Sequence, residues 1–208
     1  WCGGIRANAC ARHALVNELH LAEIRPDRLA EIAAETNPTY TTDNWEEIIR
    51  NDNIDAVFIS TTPESLHYPM TKAALEAGKH VFVEKPMAST IAEADELISI
   101  AIRNNLKYSI GYSQRFKPKF AYVNKALKGG LIGEPVTCLV SRNVTRELGD
   151  KITGRTKMSP AAMEATHDLD FLLWALQPRK PIRVYSQQAG KLYRRNSDTP
   201  DHQWIMVT

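Results

Sequence analysis

Several things are scarce in this 208-residue chain, and each scarcity removes a class of function. It has three cysteines, Cys2, Cys10 and Cys138. Their odd number and wide scatter suit neither a disulfide framework nor a metal site, and they fit a reducing compartment. No apolar run is long enough to cross a bilayer as a helix, and no secretory leader is recognisable. Net charge is low: 26 basic and 24 acidic residues leave +2, too little for bulk attraction to nucleic acid or an anionic membrane. The expectation is a cytoplasmic protein with no metal, no nucleic-acid partner and no membrane partner. What is present is ordinary for a globular enzyme: 43% hydrophobic and 24% charged residues, and enough length for one large domain or two small ones.

Glycine is also scarce where a dinucleotide-binding turn would want it. Such a turn uses the pattern Gly-x-Gly-x-x-Gly so that backbone amides can approach a pyrophosphate at a helix N-terminus. In Trp1-Cys2-Gly3-Gly4-Ile5-Arg6 only the middle glycine remains, as Gly3, with Trp1 in the first position and Arg6 in the last. Gly3, Gly4 and Ile5 are the candidate cofactor contacts, and a plain helix-start turn would read the same way. Trp1 in place of Met, and a final run Trp204 to Thr208 that reads as an unfinished strand, give the chain the look of a piece of a longer protein.

Along the chain, helical and extended patterns alternate. Residues 4–17 read as a helix, Leu19 to Ile24 as a strand, and a second helix starts at Pro26. Asp43 is placed to cap a helix over Trp45 to Arg50. Asn53 to Ser60 reads as a turn followed by a strand, and strands follow at Val81 to Val83 and Lys107 to Gly111. Between them lie helices over 67–77, closed by Gly78, and over Ile91 to Asn104, opened by a Thr90–Glu93 capping box. Repeated βαβ units predict an α/β fold with a parallel, doubly wound sheet. The alternation changes near residues 115–118, so a first domain is expected over 1–116 and a second, α+β, over 117–208. The second reads as a helix over Pro118 to Lys128, the stretch Val136 to Val144, a long polar loop, a helix from about Ser159 to Leu176, and strands near Ile182 to Gln188 and His202 to Thr208.

The chemistry-bearing residues cluster at predicted strand ends. Glu84-Lys85-Pro86 follows the apolar run His80 to Val83, which reads as a buried parallel strand. Proline ends the strand, and the C-terminal edge of an open α/β sheet is where ligands bind. Glu23 closes an earlier strand about twenty residues past Gly3, where a carboxylate can accept hydrogen bonds from ribose hydroxyls. That favours NAD, while Arg25 nearby leaves NADP open. Thr61, Thr62 and Pro63 follow another strand, where small hydroxyl residues can line a cofactor, or form a simple polar loop. His67 starts the next helix and is counted with this group, although a histidine there more often caps or faces solvent. His167 and Asp170 are three apart on a predicted helix and so share a face. Imidazole suits proton exchange near neutral pH, and a histidine packed beside Leu172, Leu173 and Trp174 is the alternative.

Taken in order, Asn53 to Ser60 with Thr62-Pro63 and Leu66-His67, Ala73 to Val81 leading into Glu84-Lys85-Pro86, Gly111 to Phe116, Gly133-Glu134-Pro135 and His167 to Asp170 resemble the Gfo/Idh/MocA oxidoreductases. The resemblance implies a Rossmann domain followed by a second domain whose open, mostly antiparallel sheet often forms an oligomer interface, so that the full-length form would be a homo-oligomer. It implies hydride transfer between NAD or NADP and a sugar, cyclitol or related polyol. Lys85 and His167 would be catalytic, with Pro86 cis, and Glu84, Lys85, Gln114 and Arg115 would border the cofactor. Lys85, Glu164 and His167 would meet the substrate. A non-catalytic dinucleotide sensor or co-regulator of the same fold is the alternative. The chain departs from the pattern in three ways. The central first strand is absent, which should expose both its neighbours. Met163 stands where an Asp is usual, with Glu164 one residue later. The second sheet stops partway. Arg142, Arg146, Arg155 and Lys157 suggest an anionic substrate group or a solvated basic loop.

Overall fold

The computed structural model describes residues 2–153, 163–190 and 202–208. The chain forms two compact units, Trp1–Gly111 and Tyr112–Thr208. The division falls slightly before the boundary read from sequence, because the short 3-10 turn Ser113–Phe116 bonds to a helix of the second unit: the Arg115 guanidinium donates to Asp170.

The first unit runs α1 (Cys2–Ala11), β1 (His20–Ala22), α2 (Pro26–Thr36), β2 (Tyr40–Thr42), α3 (Trp45–Arg50), β3 (Ala56–Ile59), α4 (His67–Glu76), β4 (His80–Val83), α5 (Ile91–Arg103) and β5 (Tyr108–Ile110). All strand pairs here are parallel, as the βαβ alternation predicts. Strands β3, β4 and β5 form one sheet and β1 and β2 another, and β1 and β3 do not pair. Each thus has one unpaired edge, and Phe58 on β3 is half exposed. The core lies on one face of the three-stranded sheet, where Ile59, Val81 and Val83 pack against Met70, Ala74 and Leu75 of α4 and Leu97, Ile100 and Ala101 of α5.

Local chemistry sets the helix ends. Thr90 Oγ1 accepts from Glu93 N–H while the Glu93 carboxylate accepts from Thr90 N–H, so the expected capping box forms. Gly78, at φ 75°, ends α4. Its N–H reaches Leu75 O and that of Lys79 reaches Ala74 O, the two bonds that close a helix through a left-handed residue. Other readings shift. The first helix spans 2–11, not 4–17: His13 Nδ1 accepts the Leu15 N–H, and Leu15 and Val16 have no core to cover them. The cap of α3 is Asn44, whose side chain accepts from Glu46 N–H, and not Asp43. Strand β2 was not predicted, being three residues of mostly polar character.

In the second unit, α6 (Pro118–Lys128) matches its expected range. The expected polar loop after it contains a helix, α7 (Arg146–Thr153). Thr145 Oγ1 accepts the Leu148 N–H at its start, Glu147 and Lys151 pair one turn apart, and Ile152 is fully buried. Helix α8 (Thr166–Ala175) carries His167, and the Ser159 start expected for it lies outside the described residues. Strands β6 (Val184–Ala189) and β7 (His202–Val207) pair antiparallel, Val184 opposite Val207. No described helix is long and apolar enough to cross a membrane.

Candidate active site

Glu84, Lys85 and Pro86 follow β4 directly, at the C-terminal edge of the three-stranded sheet. The Lys85–Pro86 peptide is cis, as is Thr62–Pro63. The Glu84 N–H continues the ladder to Ile59 O at 2.9 Å, and Gly111 N–H reaches Val83 O at 2.8 Å. The sequence therefore places the lysine two residues beyond Val83, the last β4 position paired with both neighbours.

His67 stands behind this turn. It is 1% exposed, with Nδ1 2.6 Å from the Pro86 carbonyl and Nε2 3.1 Å from the Thr61 carbonyl. Whichever nitrogen carries the proton donates to its carbonyl. Both nitrogens face backbone, which leaves none for a cofactor, so His67 supports the two loops rather than facing a ligand. Ser60 Oγ and Thr61 Oγ1, at the end of β3, are shielded from solvent with no hydrogen-bond partner among the described residues. Thr62 and Pro63 are exposed beside them.

Gly3 and Gly4 lie inside the first turn of α1. A Cβ on Gly3 would come 3.6 Å from Ser60 Cβ, and one on Gly4 would press within 2.8 Å of Ile32 Cδ1. Gly4 thus lets α1 approach α2, while Gly3 faces the hydroxyl-bearing strand end. Ile5 is more than half exposed. Arg6 donates from Nε to Glu84 Oε1 at 3.0 Å, pairs with the same oxygen through Nη2, and lies 4.1 Å over the Phe82 ring. Glu23 follows β1, its N–H bonded to Thr42 O and its Oε1 accepting from Arg25 N–H at 3.1 Å.

In the second unit, His167 stands edge-on to the Tyr112 ring, centroids 6.3 Å apart at 87°. The Tyr112 hydroxyl shares a 3.2 Å hydrogen bond with Thr166 Oγ1. Two arginine–aspartate pairs lie just after the histidine along α8. Arg115 donates from Nε to Asp170 at 2.8 Å and pairs again through Nη2. Arg142 donates from Nη2 to Asp168 at 2.8 Å and pairs through Nε. Hydrogen bonding to the aspartates raises the pKa of both arginines, against the effect of burial. Glu164 lies 3.9 Å from Arg142 Nη1, and Met163 is 1% exposed. Gln114 is buried, and its Oε1 has no hydrogen-bond partner among the described residues. Arg142 is thus already neutralised by protein carboxylates, which weakens its case as an anion site. Arg155 and Lys157 lie outside the described residues, as does Trp1.

A family model described as an oxidoreductase family with an NAD-binding Rossmann fold matches residues 6–112. The chain belongs to the Gfo/Idh/MocA oxidoreductase family. An inositol 2-dehydrogenase of Paenarthrobacter aurescens is 32% identical over 78% of this chain and 48% of its own length. A scyllo-inositol 2-dehydrogenase (NADP(+)) of Bacillus subtilis is 30% identical over 62% and 36%. Among solved structures, scyllo-inositol dehydrogenase from Lactobacillus casei, with bound NAD(H) and scyllo-inositol, has a TM-score of 0.76 at 22% identity, covering 92% of this chain and 58% of that one. The chain spans about half the length of the curated relatives it matches, or less.

The residues of this Gfo/Idh/MocA chain fit a dinucleotide. Two orphaned hydroxyls at the end of β3 and a glycine facing them make a polar edge with donors to spare. Sequence reading missed the Arg6–Glu84 pair, the Tyr112 ring and Asp168. Opposite charges at the third glycine position and at the β4 end were the available signal for the first. The other two depend on packing within the second unit.

Proposed function

We propose that this chain carries the nicotinamide-binding and proton-handling groups of a dehydrogenase acting on a sugar, cyclitol or related polyol. The observation that carries the reading is the Lys85 turn at the parallel sheet's C-terminal edge, held in place beside unpartnered Ser60 and Thr61 hydroxyls. Gly3, Ser60, Thr61 and Glu23 would hold the cofactor, with Glu23 favouring the ribose of NAD over a 2′-phosphate. Bound nicotinamide supplies the hydride acceptor or donor. Lys85 orients the reacting oxygen and moves its proton. His167, edge-on to Tyr112 on a helix held by two arginine–aspartate pairs, binds or protonates an oxygen of the substrate. The relatives named for inositol oxidation support a cyclitol as the first substrate to try.

One observation favours the second reading, a dinucleotide sensor that catalyses nothing: Met163 is fully buried where the resemblance implies an acid. Turnover separates the two. Lys85→Ala should cut turnover of an inositol panel by about 10² or more while NADH binding, followed by fluorescence, stays within a few-fold. An active Lys85→Ala chain removes the lysine from the mechanism. Cofactor binding with no turnover of any polyol by the unaltered chain supports the sensor.

A further inference from the structure

Arg6 sits where the dinucleotide fingerprint ends on a small residue, the one that lets the helix pack close to the strand. Here a long cation takes that place. Its guanidinium lies over Phe82, two residues before Glu84, and takes the Glu84 carboxylate through both Nε and Nη2. The carboxylate is also wedged from another side. A Cβ on Gly111 would come 2.6 Å from Glu84 Oε2 and 2.9 Å from Cδ, so only a residue without a side chain lets the carboxylate lie there. The Glu84 side chain is 14% exposed and Arg6 26%. The carboxylate therefore has a built seat, with a guanidinium that itself rests on Phe82 on one side and bare backbone on the other. Lys85 is the next residue.

We propose that Arg6 is a positioning residue for Lys85, acting through Glu84. The proposal rests on Lys85 being the proton-handling group, and it adds an element that the fingerprint position would not suggest. Anchored by Arg6, the Glu84 carboxylate has its charge neutralised where it lies. Pro86, on the far side of Lys85, is bonded to His67. The lysine backbone is thus fixed on both flanks. Without Arg6, a shielded carboxylate would stand unpaired beside Gly111, and the turn would have to rearrange to bring it to water or to another cation. Arg6→Lys keeps the charge but loses the two-nitrogen grip and the flat stacking on Phe82.

A double-mutant cycle on the 208-residue chain tests this with Arg6→Ala, Glu84→Gln and the pair together. The first readout does not need activity: acetylation of Lys85 by acetic anhydride, measured by mass spectrometry against exposed Lys117. Each single change should alter the relative Lys85 rate by at least about twofold, and the double should do no more than either single, as for residues acting as a unit. Arg6→Lys should fall between wild type and Arg6→Ala. The second readout is kinetic, a fall in kcat with the KM for NADH held. If Arg6→Ala does not fold, Gly111→Ala displaces the same carboxylate from the opposite side and should shift the same rate. An unchanged Lys85 rate, or single effects that simply add, overturns the proposal. Absence of turnover by every version would reject the dehydrogenase reading instead, and the labelling cycle would still decide the role of Arg6.

Discussion

Around Lys85 the anchors are mainly backbone and core: the ladder bonds of Glu84 and Gly111, the His67 contacts to two carbonyls, and a sheet face whose fully buried Val83 packs with Leu75 and Leu97. Around His167 they are charged side chains, Arg115 on Asp170 and Arg142 on Asp168, on a helix whose Leu173 is nearly half exposed. The two units hold their candidate catalytic residues by different physics. Burial and backbone bonding are insensitive to salt, whereas ion pairs with partly exposed arginines are screened by it. The lysine turn, which adds the Arg6–Glu84 pair to these backbone and core anchors, should therefore be loosened less by salt than the histidine helix.

The largest break in this comparison comes from the core. Leu97→Ala should cost about 2–5 kcal/mol, read as a lower urea midpoint, while Leu173→Ala should cost under about 1 kcal/mol. Equal costs would mean that the second unit has a core as demanding as the first. A smaller effect is expected at the ion pairs. Asp170→Asn should cost about 1–2 kcal/mol, discounted because Arg115 is partly in water, and the loss should shrink in high salt. A loss independent of salt would show that Asp170 acts by packing and not by charge.

The smallest effect is expected at Glu47, an exposed carboxylate far along the chain from either site. Hydrogen bonds from Thr42 and Tyr40 lower its pKa. A carboxyl with a depressed folded value contributes stability that is present above its unfolded value and lost as pH falls through the folded one. The stability gap between wild type and Glu47→Gln should thus close on acidification below the ordinary carboxylate range. A gap that stays constant with pH would show that these hydrogen bonds do not favour the charged form.

Legibility in the sequence followed length and period. The helices opened by Thr90 and by Pro118 and the strand before Glu84 were readable because caps, proline and apolar runs act locally. Strand β2 and helix α7 were not. Tyr40–Thr42 has too few apolar residues to signal a strand and is held by pairing with β1. Helix α7 rests on a Thr145 cap and one buried isoleucine inside a polar stretch. At the site, sequence order named Lys85 and the hydroxyl-bearing strand end. It placed His67 on the cofactor because a histidine at a helix start gives no hint that two distant carbonyls will enclose it. It left Arg142 between an anion site and a solvated basic loop because its aspartate partner lies 26 residues away.

We propose that the parallel sheet edge of the first unit binds a dinucleotide with Glu23 on its ribose. Titration of the 208-residue chain with NADH and with NADPH, following nucleotide fluorescence, tests it directly when repeated on Glu23→Ala. Saturable NADH binding is expected, and the substitution should weaken it more than it weakens NADPH binding. No saturation with either nucleotide would contradict the dinucleotide site, and equal weakening of both would contradict the role of Glu23.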